Sequence, residues 1–322
     1  MIVPMLAKSA DDLPVGEGWT YEPKWDGFRC VATRDGDTVD LRSRHGKPLA
    51  RYFPEVVASL LALPERAYVL DGELLAWRDG RADFGALMAR LHPAASRVAR
   101  LSAETPASYV AFDVVTGEPF ADRRARLERL LAGAPPNVCA TPTTTDPDEA
   151  RRWLDAPPGG ALDGVVAKRA DLPYQQGRRA MVKVKRVRTV DCVVAGMRLG
   201  GTPDAPRVAS LLLGVWEGDA LRHVGVVTSG PAPDDLARYV TPLRGHPWEN
   251  GFALEGGHMG RLKGSSGRWA PGMSMDWVPL RPELVAEVAY TVLDGIRFRH
   301  PARLVRWRPD RDPRSCTVEQ LA

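Results

Sequence analysis

Six consecutive residues, Lys24-Trp25-Asp26-Gly27-Phe28-Arg29, set a lysine between two carboxylates, Glu22 and Asp26, and follow it with a glycine and an arginine. An amine attacks phosphorus only as the neutral base. A lysine in that role therefore requires a partly desolvated pocket with positive charge nearby. Arginine adds a planar fork of donors that grips phosphate. A fixed Lys-x-Asp-Gly-x-Arg arises by chance in well under about one in a hundred chains of this length. Agreement from later segments therefore weighs heavily against a plain solvated turn.

Such agreement comes from Met181-Val182-Lys183-Val184-Lys185. Strand alternation sends Lys183 and Lys185 to one face and the valines to the other. Two lysines on one face repel unless an anion sits between them. Asp71-Gly72-Glu73 ends an apolar, β-branched run and presents Glu73 at a strand edge, where a carboxylate can hold ribose hydroxyls or a hard cation. Asp163-Gly164-Val165-Val166-Ala167-Lys168 repeats that pattern with a second carboxylate and another lysine. Arg44 follows a hairpin, and Phe112 offers a flat ring at a strand end, a stacking platform if its neighbours are polar and plain core otherwise. The six histidines show no metal-ligand spacing, and no G-x-x-x-x-G-K-[ST] phosphate loop occurs.

The elements that must position these residues follow from periodicity. The runs 28–33 and 38–42 flank Asp35-Gly36, a hairpin signal. Segments 55–63 and 122–131 have helical spacing, and 67–77, 109–115, 162–168 and 181–187 read as strands. An α+β domain results, with antiparallel sheets and helices packed outside them. Beyond Lys185-Arg186-Val187-Arg188 the texture changes to short β runs at 192–197, 208–216, 221–227, 284–290 and 303–307, which predict a small barrel. The boundary falls near Thr189, giving domains 1–188 and 189–322. Residues 203–206 read as an exposed loop, and 242–273 as a long loop or insertion.

With 322 residues, 44% hydrophobic and 26% charged, the chain is long enough for two packed domains. A net charge of +4 suits a partner bearing phosphates without requiring one. Cys30, Cys139, Cys192 and Cys316 show no C-x-x-C spacing, so reduced thiols are expected, not a zinc site or a disulfide framework. No secretory leader and no apolar run near the roughly 20 residues of a membrane span are visible, so a cytoplasmic protein is expected.

Taken in order, residues 24–29, 43–46, 71–73, 109–115, 163–168 and 181–185 resemble the successive nucleotide-binding motifs of the covalent nucleotidyltransferase superfamily. That superfamily comprises DNA ligases, RNA ligases and mRNA capping enzymes. Val3-Pro4-Met5-Leu6-Ala7, Trp277-Val278-Pro279 followed by Leu284 to Val288, and the closing Leu304 to Arg311 look like small bacterial ATP-dependent DNA ligases. These include stand-alone repair ligases and the ligase part of end-joining proteins.

The resemblance implies a nucleotidyltransferase (adenylation) domain followed by an OB-fold domain. It implies that Lys24 takes AMP from ATP, releases pyrophosphate and passes the AMP to a 5′-phosphate at a nick, where the 3′-hydroxyl seals the strand. Glu22 would read the adenine edge, Phe112 would stack on the base, and Arg29 with Glu73 would hold the ribose. Arg44 and Lys168 complete the nucleotide-binding set, and Lys183 and Lys185 would neutralise the α-phosphate. Arg308 and Asp310 would reach the ATP phosphates from the OB domain, while Glu73 and Asp163 would hold Mg²⁺ or Mn²⁺. The implied partner is nicked double-stranded DNA, bound by a monomer, with repair polymerases or end-binding proteins as further candidates.

Three positions depart from the family pattern. Asp163 stands for the usual Glu, Arg311 for Lys, and Met181 for Trp. Two other readings stay open: an RNA ligase of the same superfamily, and a catalytically silent nucleic-acid-binding protein on the same scaffold.

Overall fold

A computed structural model of the chain describes residues 2–78, 81–155, 162–202, 204–229, 233–244, 252–253 and 277–321. The chain divides into two compact units, Met1–Arg186 and Val187–Ala322.

Two sheets build the first unit. One has the strand order β1 (Leu6–Ala10), β10 (Arg179–Val184), β9 (Leu162–Arg169), β2 (Trp19–Trp25). The other runs β4 (Thr38–Ser43), β3 (Phe28–Asp35), β5 (Ala67–Arg78), β7 (Ala107–Val114), β8 (Val138–Ala140), with the short β6 (Arg81–Ala82) beside β5. The β3–β4 hairpin closes through Gly36 and Asp37, with Asp35 opposite Thr38 and Gly36 at φ +58°. A residue with a side chain would resist that left-handed geometry. The sheets are mixed, not purely antiparallel as expected: β1 pairs with β10, and β7 with β8, in parallel. These pairings join segments far apart in sequence, and local patterning carries no signal for their direction.

Helices cover the second sheet. Pro54 opens α1 (Pro54–Leu61), which lays Val56 and Leu60 at i, i+4 spacing into a core with Phe53, Leu70, Leu74 and Leu127. In α4 (Phe120–Leu130), Leu127 and Leu130 bury as the pattern predicts, but so does Arg123. Three short helices carry too little periodicity to be legible in advance: α2 (Phe84–Ala89), α3 (Ala95–Glu104) and α5 (Pro147–Leu154). The strand expected over 181–187 ends at Val184, so Lys185 lies just past it.

In the second unit, β11 (Arg188–Thr202), β12 (Ala205–Glu217), β13 (Ala220–Ser229), β16 (Val285–Tyr290) and β19 (Ala302–Trp307) close into a five-stranded barrel. The ring order is β11-β12-β13-β19-β16 and back to β11, with β13 and β19 parallel. Chain order and ring order together are those of an OB-fold barrel. Short strands β14 (Phe252–Ala253), β15 (Val278–Pro279), β17 (Leu293–Asp294) and β18 (Arg297–Phe298) flank it. Both faces of β11 are covered: Val190, Cys192 and Val194 join one apolar cluster, Val193 and Ala195 another. That double burial makes the strand read as an unbroken apolar run. Leu236 and Val240 of α6 (Pro233–Val240) pack on the barrel core.

Two expected loops need comment. Thr202 pairs with Ala205, so Ala205 and Pro206 of the expected loop already belong to β12, while residue 203 lies outside the described residues. Most of the stretch expected as a long loop over 242–273 lies outside the described residues. Among the described residues no helix is long and apolar enough to cross a membrane.

Candidate active site

Both sheets of the first unit contribute to one open cleft of about 200 Å³. Its walls carry Glu22 and Lys24 from β2, Arg29 from β3, Glu73 from β5, Phe112 from β7, Lys168 from β9 and Lys183 from β10, with Arg44 just beyond β4. Leu6, Val166 and Met181 supply apolar surface. Residues from Leu6 to Lys183, 177 positions apart, thus face one space, and the two-residue strand repeat puts Glu22 and Lys24 on the same side of β2.

The carboxylate beside Lys24 is neither of its sequence neighbours. Lys24 Nζ donates to Asp163 Oδ2 at 2.7 Å, and Lys185 Nζ approaches the same oxygen at 2.6 Å. Lys24 lies opposite Gly164 in the β2–β9 pair, which sets Asp163 beside it. Gly164 has φ +142°, and a Cβ there would fall 2.1 Å from the Val184 carbonyl oxygen. Glycine therefore lets β9 pass close enough to β10 to bring Lys185 to the same carboxylate. Asp163 is only 3% exposed, and its Oδ1 has no hydrogen-bond partner among the described residues.

Glu22 points elsewhere, into a buried chain of charges. Its Oε2 lies 2.9 Å from Lys168 Nζ, which also donates to the Phe112 carbonyl at 2.7 Å and sits 3.5 Å from Asp113 Oδ2. Asp113 in turn receives Arg123 Nε at 2.7 Å and Nη2 at 3.2 Å, so the arginine buried in α4 closes the chain. Burial pushes the Glu22 carboxyl up from its ordinary value, against the pull of Lys168. Glu22 Oε1 is buried with no partner among the described residues. An acceptor left unsatisfied inside a cleft is costly unless a ligand completes it. The Lys168 ammonium lies 5.0 Å from the Phe112 ring centre and the Arg29 guanidinium 5.4 Å from it, so both cations help hold the ring in place.

Arg29 is more committed than its sequence position suggests. Nε and Nη2 clasp Asp71 at 3.0 and 2.6 Å, and Nη2 also donates to the Met5 carbonyl at 2.6 Å. Tyr174 donates its hydroxyl to Asp71 Oδ2 at 2.6 Å and accepts from the Met5 amide at 2.9 Å. Arg29 still lines the cleft, and Nη1 has no hydrogen bond to Asp71 or Met5. Glu73, the cross-strand partner of Arg29, accepts from the Gly27 amide at 3.1 Å. Desolvation pushes its carboxyl up to about 8, although Lys24 and Arg29 pull the other way.

Positive charge collects where a polyanion would enter. Burial, then the nearby Lys185, Lys24, Arg44 and Arg179, hold the Lys183 amine below its ordinary value. Neither Lys183 nor Arg44 makes an ion pair among the described residues. Arg308 and Asp310 lie in the second unit, where they pair with each other at 2.9 Å.

A divalent cation fits the donors present. Mg²⁺ is commonly held by one or two carboxylates together with substrate phosphates and water; Glu73 lines the cleft, and Asp163, which does not line it, has an Oδ1 unpartnered among the described residues and sits beside Lys24. Among the described residues no group of three or more His, Cys, Asp or Glu could hold a metal by itself.

Asp71, Asp113, Arg123 and Tyr174 were not legible as parts of the site. Each acts through a partner distant in sequence. The one usable signal was an aspartate within an apolar strand run, at Asp71 and Asp113, since a buried carboxylate demands a cationic partner.

Comparison with known proteins gives a consistent picture. A family model for the ATP dependent DNA ligase domain matches residues 4–185, and one for the ATP dependent DNA ligase C terminal region matches 204–311. DNA ligase C2 of Mycolicibacterium smegmatis is 48% identical over 99% of this chain and 94% of its own length. DNA ligase C of Mycobacterium tuberculosis is 45% identical over 99% and 93%. Among solved structures, the ligase domain of M. tuberculosis LigD aligns at TM-score 0.51 with 25% identity, covering 98% of each chain.

Proposed function

From the premise that this chain belongs to the ATP-dependent DNA ligase family and is an ATP-dependent DNA ligase, we propose how its residues divide the chemistry. Lys24 Nζ attacks the α-phosphorus of ATP. A P–N bond forms, the P–O bond to pyrophosphate breaks, and the proton that the amine must shed has Asp163 Oδ2 within 2.7 Å. Lys183, with no ion pair of its own among the described residues, and Lys185 offset the charge building on the phosphate oxygens. Mg²⁺ or Mn²⁺ held by Asp163 and Glu73 would supply Lewis-acid neutralisation of the same phosphates. Arg308 and Asp310 serve the ATP phosphates during this step.

Base choice follows from Glu22. Its unpartnered Oε1 accepts the 6-amino group of adenine, whereas guanine would set a carbonyl oxygen against it. Phe112 stacks on the purine, and the open edge of Arg29 meets the ribose. The adenylate then passes to the 5′-phosphate of a nick, and attack by the 3′-hydroxyl joins the strands and releases AMP. We assign the enzyme to DNA repair, acting as a monomer in the cytoplasm on nicked duplex DNA. Repair polymerases or end-binding proteins are its candidate partners.

The observation that carries this reading is the convergence of Lys24, Glu22, Glu73, Phe112 and Lys183 on one cleft. Incubation with α-labelled ATP and metal should place AMP on Lys24, detectable by mass spectrometry, and Lys24→Ala should abolish the adduct while leaving the protein folded. Adenylation of that variant would remove Lys24 from the mechanism. Labelling from GTP in place of ATP would overturn the assignment of Glu22. Faster sealing of nicked RNA than of nicked DNA would overturn the substrate assignment.

A further inference from the structure

Within the second unit, two arginines that follow β19 turn toward a single carboxylate. Arg308 Nη1 donates to both oxygens of Asp191, at 3.2 and 3.1 Å, and Arg311 Nε lies 3.5 Å from Oδ2. Asp310 takes the other edge of the Arg308 fork, with Nε at 3.0 Å and Nη2 at 2.9 Å. The two acids differ in kind. Asp191 is 12% exposed and sits on β11, a strand of the closed barrel, while Asp310 is 64% exposed and belongs to the same segment as the arginines.

Asp191 lies opposite Glu287 of β16, and Glu287 holds Arg306 at 2.6 Å. The cluster therefore sets Asp191, Glu287 and Asp310 against Arg306, Arg308 and Arg311. The Arg308 amide is bonded to the Val285 carbonyl, so the backbone is tied down where the arginine leaves the sheet. Among the described residues, Asp191 is the one carboxylate that both guanidinium groups approach, by hydrogen bonds from Arg308 and by a looser ion pair from Arg311. A group that holds two long, flexible cations in one geometry removes ordering cost from whatever anion they next meet.

We propose that Asp191 is a positioning residue for enzyme adenylation, fixing the spacing and orientation of Arg308 and Arg311 toward the phosphates of ATP. The proposal rests on the assignment of Arg308 to those phosphates made above. Asp191 touches no substrate in this role. Its effect belongs to the step that uses ATP, and not to sealing of a nick whose 5′-end already carries AMP.

The test compares wild type, Asp191→Asn, Asp191→Glu and Arg308→Ala in two assays. One follows the rate of Lys24 adenylation across a range of ATP concentrations. The other follows single-turnover sealing of a pre-adenylated nick, with melting temperatures recorded alongside. Loss of a charge-assisted, two-point contact should slow adenylation by Asp191→Asn about tenfold to a hundredfold. Sealing of the pre-adenylated nick should stay within about twofold of wild type, and Asp191→Glu should recover part of the loss. Unchanged or faster adenylation by Asp191→Asn, or an equal fall in both assays, would overturn the proposal. If Arg308→Ala is slow and Asp191→Asn is not, Asp191 alone is wrongly assigned. If Arg308→Ala itself adenylates at the wild-type rate, the assignment of Arg308 fails and takes that of Asp191 with it.

Discussion

Lys168→Met separates the structural from the chemical share of the buried charge chain. Lys168 is 2% exposed and serves Glu22 Oε2 at 2.9 Å, Asp113 Oδ2 at 3.5 Å and the Phe112 carbonyl at 2.7 Å. Asp113 would lose little, because Arg123 still grips both of its oxygens. Glu22 would lose more, since its side chain is 3% exposed and its other oxygen has no partner among the described residues. Breaking a buried ion pair by deleting one member typically costs about 3–5 kcal/mol. With one of the two acids still paired, we expect the low end, about 3 kcal/mol near neutral pH. For a unit of this size that lowers the melting temperature by about 6–12 °C.

The sign with pH follows from linkage. Without Lys168, the Glu22 carboxyl rises further above its unfolded value. The deficit should therefore be small in acid and grow as pH climbs through the raised value. Adding Glu22→Gln removes the stranded charge, so the double variant should melt above Lys168→Met alone. Calorimetry would measure this, with hydrogen exchange across the β2–β9 pair assigning the transition to the first unit. A Lys168→Met melting temperature within about 2 °C of wild type, or a double variant no more stable than the single, would refute the reasoning.

Further expectations follow from the same cleft. Phe112→Ala should raise the KM for ATP about tenfold through lost stacking while leaving nicked-DNA affinity within about twofold; equal losses in both assays would mark the ring as core. Desolvation raises the Glu73 carboxyl from an unfolded value of 4.5 to about 8, so its contribution is fully present below 4.5 and is lost as pH rises through 8. Glu73→Gln should accordingly gain on wild type in unfolding measurements between pH 6 and pH 9, and a constant difference would count against the raised value. Gly164→Ala, whose Cβ would lie 2.1 Å from the Val184 oxygen, should cost more than about 1 kcal/mol and slow Lys24 adenylation; wild-type behaviour in both would show that β9 can yield there. DNA affinity should fall steeply with added salt, reflecting phosphate contacts, and a flat response would remove the case for them.

Much of the site's membership was readable before any coordinates. Lys24, Glu73, Phe112 and Lys183 announce themselves by residue type in strand-like runs, because strand alternation fixes which side chains share a face. Val182 and Val184 do bury at 5% and 3%, leaving Lys183 partly exposed as that rule requires. The barrel of the second unit was legible from its short β runs. Helices α2 and α3, of 6 and 10 residues, were not, because their apolar spacing does not stand clear of noise, whereas that of α1, with 8 residues, does.

Partnership is a different matter. Nothing local says that Lys24 meets Asp163 instead of Glu22 or Asp26, that Arg29 is clasped by Asp71 and tethered to Met5, or that Arg123 leaves the surface of α4 to hold Asp113. By itself the chain's residue order pointed to Lys24 as the candidate nucleophile, to the lysine pair and to the two-part architecture. Those properties live in spacings of a few residues, set by backbone geometry. Which carboxylate neutralises which cation was decided only in the tertiary structure. A buried charge pairs with whatever the sheets bring within about 3 Å, and desolvation makes that proximity, not distance along the chain, the controlling variable.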